Sequence, residues 1–180
     1  MRLSPAVHDA LAGLLEYPRA GDGLKAAERL AAVAAECPVA AALAAPFADF
    51  AAATAIGDWE EIYVRTFDGN AERALEVGWQ VFGEQYARGV FLVRMRELIR
   101  ACGVTESSEL PDHLTHVLRV LGRTDEAPAS MIATSAVRPS LTRILADLPQ
   151  DDPYAALLRA VSEVVASHET AAAPAAGGAA

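Results

Sequence analysis

Apolar residues recur along most of the chain at the three- and four-residue spacing of amphipathic helices. The pattern predicts helices over about residues 5–17, 22–36, 38–56, 58–68, 71–82, 84–102, 111–122, 127–148 and 152–169. Pro46 and Pro139 are expected to kink or end the helices that contain them. Because no stretch alternates apolar and polar residues as a strand does, we predict an all-α, single-domain bundle of about eight to nine helices.

The domain boundaries follow from length and from a change of composition near the carboxyl end. A chain of 180 residues is long enough for one domain with a sizeable core. The last residues, from Thr170, are almost entirely alanine and glycine. We therefore predict a helical domain over residues 1–169 and a disordered tail over residues 170–180.

The net charge of −9, with a single lysine among fifteen basic residues, bears on the choice of partner. Nucleic-acid binding needs a basic field, so nucleic acid is excluded as the main partner. An acidic surface suits a basic peptide, although it also serves solubility alone.

The most apolar run, residues 38–56, is tested first as a membrane span. Alanine is only weakly hydrophobic, and Pro46 and Asp49 interrupt the run, so no membrane insertion is expected. The amino terminus has no signal-peptide core, and Cys37 and Cys102 form no CxxC pair. These features predict a cytoplasmic protein with free thiols.

Two short stretches combine charged and apolar residues, at positions 59–68 (WEEIYVRTFD) and 109–114 (ELPDHL). In the first, the spacing places one set of residues on a single helical face, namely Trp59, Ile62, Tyr63, Thr66 and Phe67. The simplest interpretation is that this face packs in the core. Because it is aromatic, the alternative is that one or two of its residues line a peptide groove. Asp58 and Glu61 resemble a capping box at the start of the same helix.

In the second stretch, Pro111 is expected to start a helix with Asp112 in its first turn. There Asp112 could offset the helix dipole, or Asp112 and His113 could point into a groove and receive a charged partner. His113 and His116 share a helical face, but no metal-binding motif accompanies them, so no metal site is predicted. The exposed carboxylates lack a nucleophile nearby, and no phosphate-binding loop occurs. We therefore expect no enzyme, no catalytic residue and no bound cofactor.

The two stretches together resemble the cytoplasmic chaperones of molybdoenzymes, the group that assembles nitrate reductase and related trimethylamine oxide and dimethyl sulfoxide reductases. The nitrate reductase branch carries an E-x-Y-V-x-T-F-D segment, which reads here as residues 61–68. An E-[LP]-P-D-H-L segment follows later in the group and reads here as residues 109–114. The intervening residues 88–104 also resemble the long helix of that branch, so the likeness covers about residues 57–122.

This resemblance implies a chaperone that binds the N-terminal peptide of a molybdoenzyme catalytic subunit and assists insertion of its molybdenum cofactor. The client would be a nitrate reductase, as in nitrate assimilation, or a related oxyanion reductase or dehydrogenase. Carried over by position, the peptide-binding residues would be Tyr63, Phe67, Asp68, Glu109, Pro111, Asp112 and His113. The chaperone would be a monomer or a weak or domain-swapped dimer. The alternatives are a permanent structural subunit of a redox complex and a nucleotide-binding helical protein.

Overall fold

Helices make up almost all of the regular structure in the computed structural model, which describes residues 2–170. The α-helices are α1 (Pro5–Leu14), α2 (Asp22–Glu36), α3 (Pro38–Ala53), α4 (Ile56–Tyr63), α5 (Val77–Phe82), α6 (Tyr86–Ala101), α7 (Leu114–Leu121), α8 (Glu126–Ile132), α9 (Arg138–Asp147) and α10 (Pro153–Thr170). A π-helical turn (Val64–Asp68) extends α4, a second one (Ala133–Val137) joins α8 to α9, and a short 3-10 turn spans Ala71–Arg73.

The predicted all-α bundle is confirmed. The described residues form nine continuous helices, since the second π-helical turn joins α8 and α9 into one, and they form no strand. Within the same part of the chain, no helix is both long and apolar enough to cross a bilayer. The tail that the sequence predicts to be disordered lies, from residue 171 onward, outside the described residues.

Helix α3 packs against α2 and α10, while α1 packs against α2 and α7. Five buried aromatic side chains meet in one cluster that includes Phe47 of α3, namely Phe47, Trp59, Tyr63, Phe67 and Tyr154. Within the cluster, the Trp59 indole N–H donates to the Tyr154 hydroxyl over 2.8 Å. Since full burial of such a ring contributes about 1.5–3 kcal/mol, this cluster fixes α4 against α3 and α10.

The first π-helical turn directs two successive side chains of the 59–68 stretch inward. Its defining bond runs from the Gly69 N–H to the Val64 carbonyl over 2.7 Å, one residue further back than in an α-helix. Both Thr66 and Phe67 are buried as a result. The Thr66 hydroxyl donates to the Asp152 carboxylate (2.9 Å), which also accepts the Tyr154 N–H at the start of α10 (2.9 Å). The predicted apolar face is therefore core, as its spacing suggested.

Three predicted helix starts are wrong, and each error has a backbone cause. Helix α4 begins before Asp58, because the Ala55 carbonyl accepts the Trp59 N–H over 3.0 Å, so no Asp58–Glu61 capping box forms. Residues 74–76 leave the predicted 71–82 helix and run extended. The third error concerns α7, which begins at Leu114 rather than at Pro111.

The last two errors share one explanation, an isolated antiparallel bridge between Glu76 and His113. The Val77 N–H donates to the Asp112 carbonyl (2.9 Å), and the Leu114 N–H donates to the Leu75 carbonyl (2.8 Å). These backbone groups satisfy each other across the fold, so neither segment needs helical hydrogen bonds there.

Candidate functional site

The two stretches singled out from the sequence both line a cavity of about 410 Å³, which lies beside the bridge between Glu76 and His113. Its remaining lining comes from residues 69–71 and from the extended residues 74–76. Five of the seven predicted peptide-binding residues line it, namely Tyr63, Phe67, Asp68, Glu109 and His113. We refer to it as the acidic cavity because three carboxylates surround it.

The carboxylates of the acidic cavity are Asp68, Glu76 and Glu109. Burial raises the pKa of Asp68 and of Glu76, and for Glu76 the negative charges of Asp112 and Glu109 raise the pKa further. Carboxylates that are desolvated and crowded by like charge are stabilised by a cation that enters between them. The cavity therefore suits a lysine, arginine or amino-terminal group of a ligand. Glu76 was not predicted, since only the bridge to His113 brings it here.

His113 forms the neutral part of the same wall. Burial, followed by unfavourable electrostatic interactions with His116 and Arg119, lowers the pKa of His113 to about 3, so the ring is neutral at pH 7. His113 is the N-cap of α7. Its Nδ1 accepts a hydrogen bond from the Thr115 N–H at 3.4 Å and lies 2.8 Å from the Thr115 hydroxyl. The proton is therefore on Nε2, which makes His113 a hydrogen-bond donor beside three acceptors.

Tyr63 and Phe67 contribute a wall that belongs to the core. Each is only 2–3% exposed, and their rings meet edge to face at 5.2 Å. The Tyr63 hydroxyl donates to the Leu15 carbonyl at 3.4 Å, and burial raises its pKa. These two rings can shape the acidic cavity, but most of their contacts stabilise the fold.

Asp112 and Pro111 are the two predicted residues that do not line the acidic cavity. Asp112 is fully buried, accepts the Gly78 N–H at the start of α5 (3.1 Å), and lies 3.5 Å from the Arg88 Nε on α6. Its second oxygen has no hydrogen-bond partner. The interpretation that placed Asp112 in the first turn of its own helix is therefore wrong, and Asp112 instead caps α5. Pro111 lines a separate hollow beside α6.

A second concave surface, which the sequence did not predict, lies between α5, α6 and the α8 segment. This apolar groove has a volume of about 550 Å³. Its apolar lining is Val81, Phe82, Phe91, Met95, Leu98, Ala101, Pro128, Met131, Ile132 and Ala136. Met131 is 66% exposed on its rim, whereas Phe82, Phe91 and Leu98 are half-buried. The helical spacing of Phe91, Met95 and Leu98 is typical of an inward face, and such spacing does not show that the neighbouring helices leave that face partly open.

Helix α5 connects the acidic cavity to the apolar groove. Glu76, just before its first residue, lines the cavity, and Val81 and Phe82 in its last turn line the groove. Six helical residues rise about 9 Å, so both surfaces are within reach of one short peptide. Arg88, which lies 5.5 Å from the centre of the Trp79 ring, and Asp112 hold α5 against α6.

His116, the other histidine of the stretch, serves the loop before α7. Its Nε2 accepts the Ser107 N–H (3.0 Å), and its Nδ1 donates to the Leu110 carbonyl (2.9 Å). Both nitrogens are therefore occupied within the loop. Among the described residues, no group of three or more His, Cys, Asp and Glu side chains could hold a metal ion.

The neutral state of His113 predicts a loss of stability in acid. Its folded pKa is depressed to about 3, so below pH 6.5 the unfolded chain takes up a proton that the folded chain does not. Between pH 6.5 and 3 this residue should lower the free energy of unfolding by about 1.4 kcal/mol per pH unit. Urea unfolding of His113→Asn at pH 7, 5.5 and 4.5 should show a shallower dependence than the wild type.

A second source of pH dependence is the buried pair His8 and His168, whose Nε2 atoms lie 2.8 Å apart and which is present in both the wild type and the variant. Burial also lowers their pKa values, for His168 to about 4, so they contribute a slope of the same sign in both proteins. Equal slopes for the wild type and His113→Asn would show that folding does not shift the pKa of His113.

Comparison with known proteins identifies the family to which this helical domain belongs. No curated protein matches the chain. The model of the nitrate reductase delta subunit family matches residues 33–148, which include both stretches, the acidic cavity and all of α5 and α6. The chain therefore belongs to the nitrate reductase delta subunit family, whose members are chaperones of molybdoenzyme maturation.

Proposed function

We propose that this chain is a cytoplasmic chaperone that binds the N-terminal segment of a molybdoenzyme catalytic subunit and assists insertion of the molybdenum cofactor into it. The client is a nitrate reductase or a related oxyanion reductase or dehydrogenase. The family is not itself catalytic, and the chaperone needs no cofactor of its own for this role.

The observation that carries this proposal is the pair of surfaces at the two ends of α5. An amphipathic helix recognised in a groove lays its apolar face on apolar side chains at i, i+3, i+4 and i+7. The apolar groove offers such a surface, and the acidic cavity, at the opposite end of the six-residue helix α5, offers carboxylates for a basic residue of the same segment. The net charge of −9 adds long-range attraction for a basic segment.

Within this proposal the predicted residues divide into two groups. Asp68, Glu109 and His113 contact the client, with Glu76 added to them, and Tyr63 and Phe67 support them from the core. Asp112 and Pro111 act indirectly: Asp112 positions α5, and Pro111 shapes the approach to α7. Asp112 is thus a positioning residue rather than a contact residue.

Calorimetric titration with the N-terminal segment of a nitrate reductase catalytic subunit tests the contact group. We expect saturable binding, and about tenfold weaker affinity for the double variant Asp68→Asn/Glu109→Gln, because two attractive charges are removed. The difference from the wild type should shrink as salt is raised, since salt screens the attraction that Asp68 and Glu109 exert in the wild type.

The matched control is Glu28→Gln/Asp49→Asn, which removes two exposed carboxylates from α2 and α3. If both double variants weaken binding equally, net charge rather than the acidic cavity governs affinity. Absence of binding to this and to related catalytic subunits, with a folded chaperone, would overturn the proposal. Molybdenum content of the client matured with each variant then reports on cofactor insertion.

A further inference from the structure

The loop between α6 and α7 carries one of the carboxylates of the acidic cavity, although the loop itself lies on the surface. Residues 105–110 are all exposed. Glu109 lines the cavity nevertheless, and it contributes, after burial and Asp112, to the raised pKa of Glu76. Glu76 and Asp68 repel Glu109 in turn, because like charges in partly desolvated surroundings disfavour one another. A carboxylate on an exposed loop stays beside two others only if the loop is held in place.

Two polar contacts connect the first half of this loop to the helices beside it. Glu106 pairs with Arg96 (3.3 Å) and Arg100 (4.0 Å) of α6, but these side chains are partly exposed, so the pairing contributes little. The second contact is the Ser107 N–H, which donates to Nε2 of His116 on α7 over 3.0 Å. His116 is fully buried, and a hydrogen bond to a group shielded from water is the stronger constraint.

The His116 ring holds the loop on both sides of Glu109. Its Nδ1 donates to the carbonyl of Leu110, the residue after Glu109, and its Nε2 accepts the N–H of Ser107, two residues before it. The Ser107 hydroxyl lies 3.2 Å from the same Nε2 and accepts the Glu109 N–H over 3.2 Å. A chain of hydrogen bonds therefore runs from the buried ring through Ser107 to the backbone of Glu109.

We propose that His116 is a positioning residue for the client, which acts by holding Glu109 at the acidic cavity. The inference rests on the proposed function, in which Glu109 contacts a basic residue of the client. His116 does not line the cavity, so its influence on the client passes through the loop. A carboxylate that is fixed before the client arrives loses less conformational freedom on binding, and this preorganisation strengthens the complex.

Asparagine and glutamine at position 116 separate the two hydrogen bonds of the ring. The amide nitrogen of asparagine can take the place of Nδ1 and donate to the Leu110 carbonyl, but this side chain is too short to reach Ser107. The amide oxygen of glutamine reaches the position of Nε2 and can accept the Ser107 N–H. We therefore expect His116→Asn to release the part of the loop before Glu109, and His116→Gln to keep it in place.

Calorimetric titration with the N-terminal segment of a nitrate reductase catalytic subunit tests whether His116 acts through Glu109. We expect Glu109→Gln to weaken affinity about threefold in the wild type and to have no further effect in His116→Asn, which is itself weakened by the same factor. His116→Gln should restore the effect of Glu109→Gln. Asp68→Asn should weaken affinity equally in all three backgrounds, because Asp68 lies on the π-helical turn after α4. A general loss of stability would not remove the effect of Glu109 alone.

Hydrogen exchange of the protein without client tests the positioning by itself. The amides of Ser107 and Glu109 should exchange about tenfold faster in His116→Asn than in the wild type, because their acceptors depend on the ring. The Val104 amide, which donates to the Ile99 carbonyl over 2.9 Å, should exchange at the wild-type rate. Unchanged exchange at Glu109 would overturn the proposal whatever the client does.

Ser107→Ala is a second variant that leaves the buried ring in place. It removes the acceptor of the Glu109 N–H from an exposed position, so it should speed exchange at Glu109 and reduce the effect of Glu109→Gln. Ser108→Ala, the same change at the next exposed position, should do neither.

The titrations separate this inference from the proposed function. If the wild type binds the client segment but Glu109→Gln weakens affinity equally in the wild type, His116→Asn and Ser107→Ala, the role of His116 is wrong and the proposed function stands. If the folded wild type binds no such segment, the proposed function is wrong and the inference falls with it.

Discussion

Replacement of Met131 by glutamate is expected to weaken binding of the client's N-terminal segment by roughly 30- to 100-fold, about 2–3 kcal/mol. Met131 is 66% exposed on the rim of the apolar groove, so its side chain is free to be covered by a ligand. The new carboxylate would be desolvated against the apolar face of the bound helix. Glutamate is chosen because an added negative charge by itself favours a basic peptide, so a loss of affinity reports on the groove.

Calorimetry with the client segment measures the effect, and Leu24→Glu is the matched control. Leu24 is 84% exposed on α2, away from both surfaces, and its replacement changes charge and hydrophobicity in the same way. Its affinity should equal that of the wild type. Unchanged affinity in Met131→Glu would exclude the apolar groove as the binding surface, whatever the acidic cavity does.

The second large effect is expected at Asp112, where Asp112→Ala should lower the free energy of unfolding by about 3 kcal/mol. The substitution removes the acceptor of the Gly78 N–H and leaves the largely buried Arg88 without its carboxylate. An unpaired group of either kind costs about 1–3 kcal/mol, and an uncompensated buried charge costs more. Urea unfolding followed by circular dichroism measures the change.

Two further variants separate the parts of this effect. Asp112→Asn keeps an acceptor for Gly78 and removes only the charge, so it should lose less stability than the alanine variant. Arg88→Met in the Asp112→Asn background should recover part of the loss, because no buried guanidinium then lacks a partner. If Asp112→Asn kept full stability but lost client affinity, Asp112 would contact the client directly instead of positioning α5.

The acidic cavity illustrates how far sequence patterns reach toward a binding site. The resemblance of residues 61–68 and 109–114 to two segments of the chaperone family indicated Tyr63, Phe67, Asp68, Glu109 and His113, and the fold brings these five residues together around one cavity. Glu76 escaped notice because a lone acid near a predicted helix start has no local signature. Asp112 could be identified as important, but its role depends on Gly78 and Arg88, which are 34 and 24 positions away in the sequence.

The sequence by itself determined the helical class, the number of helices and the inward faces of most of them, because these depend on side-chain periodicity within single turns. Tertiary structure alone decided where α5 and α7 begin, since the bridge between Glu76 and His113 satisfies backbone groups that a local pattern assigns to helices. It also decided which faces stay open. The spacing of Phe91, Met95 and Leu98 is the same whether a neighbouring helix covers them fully or leaves a groove, and only the packing of α5, α6 and α8 distinguishes the two.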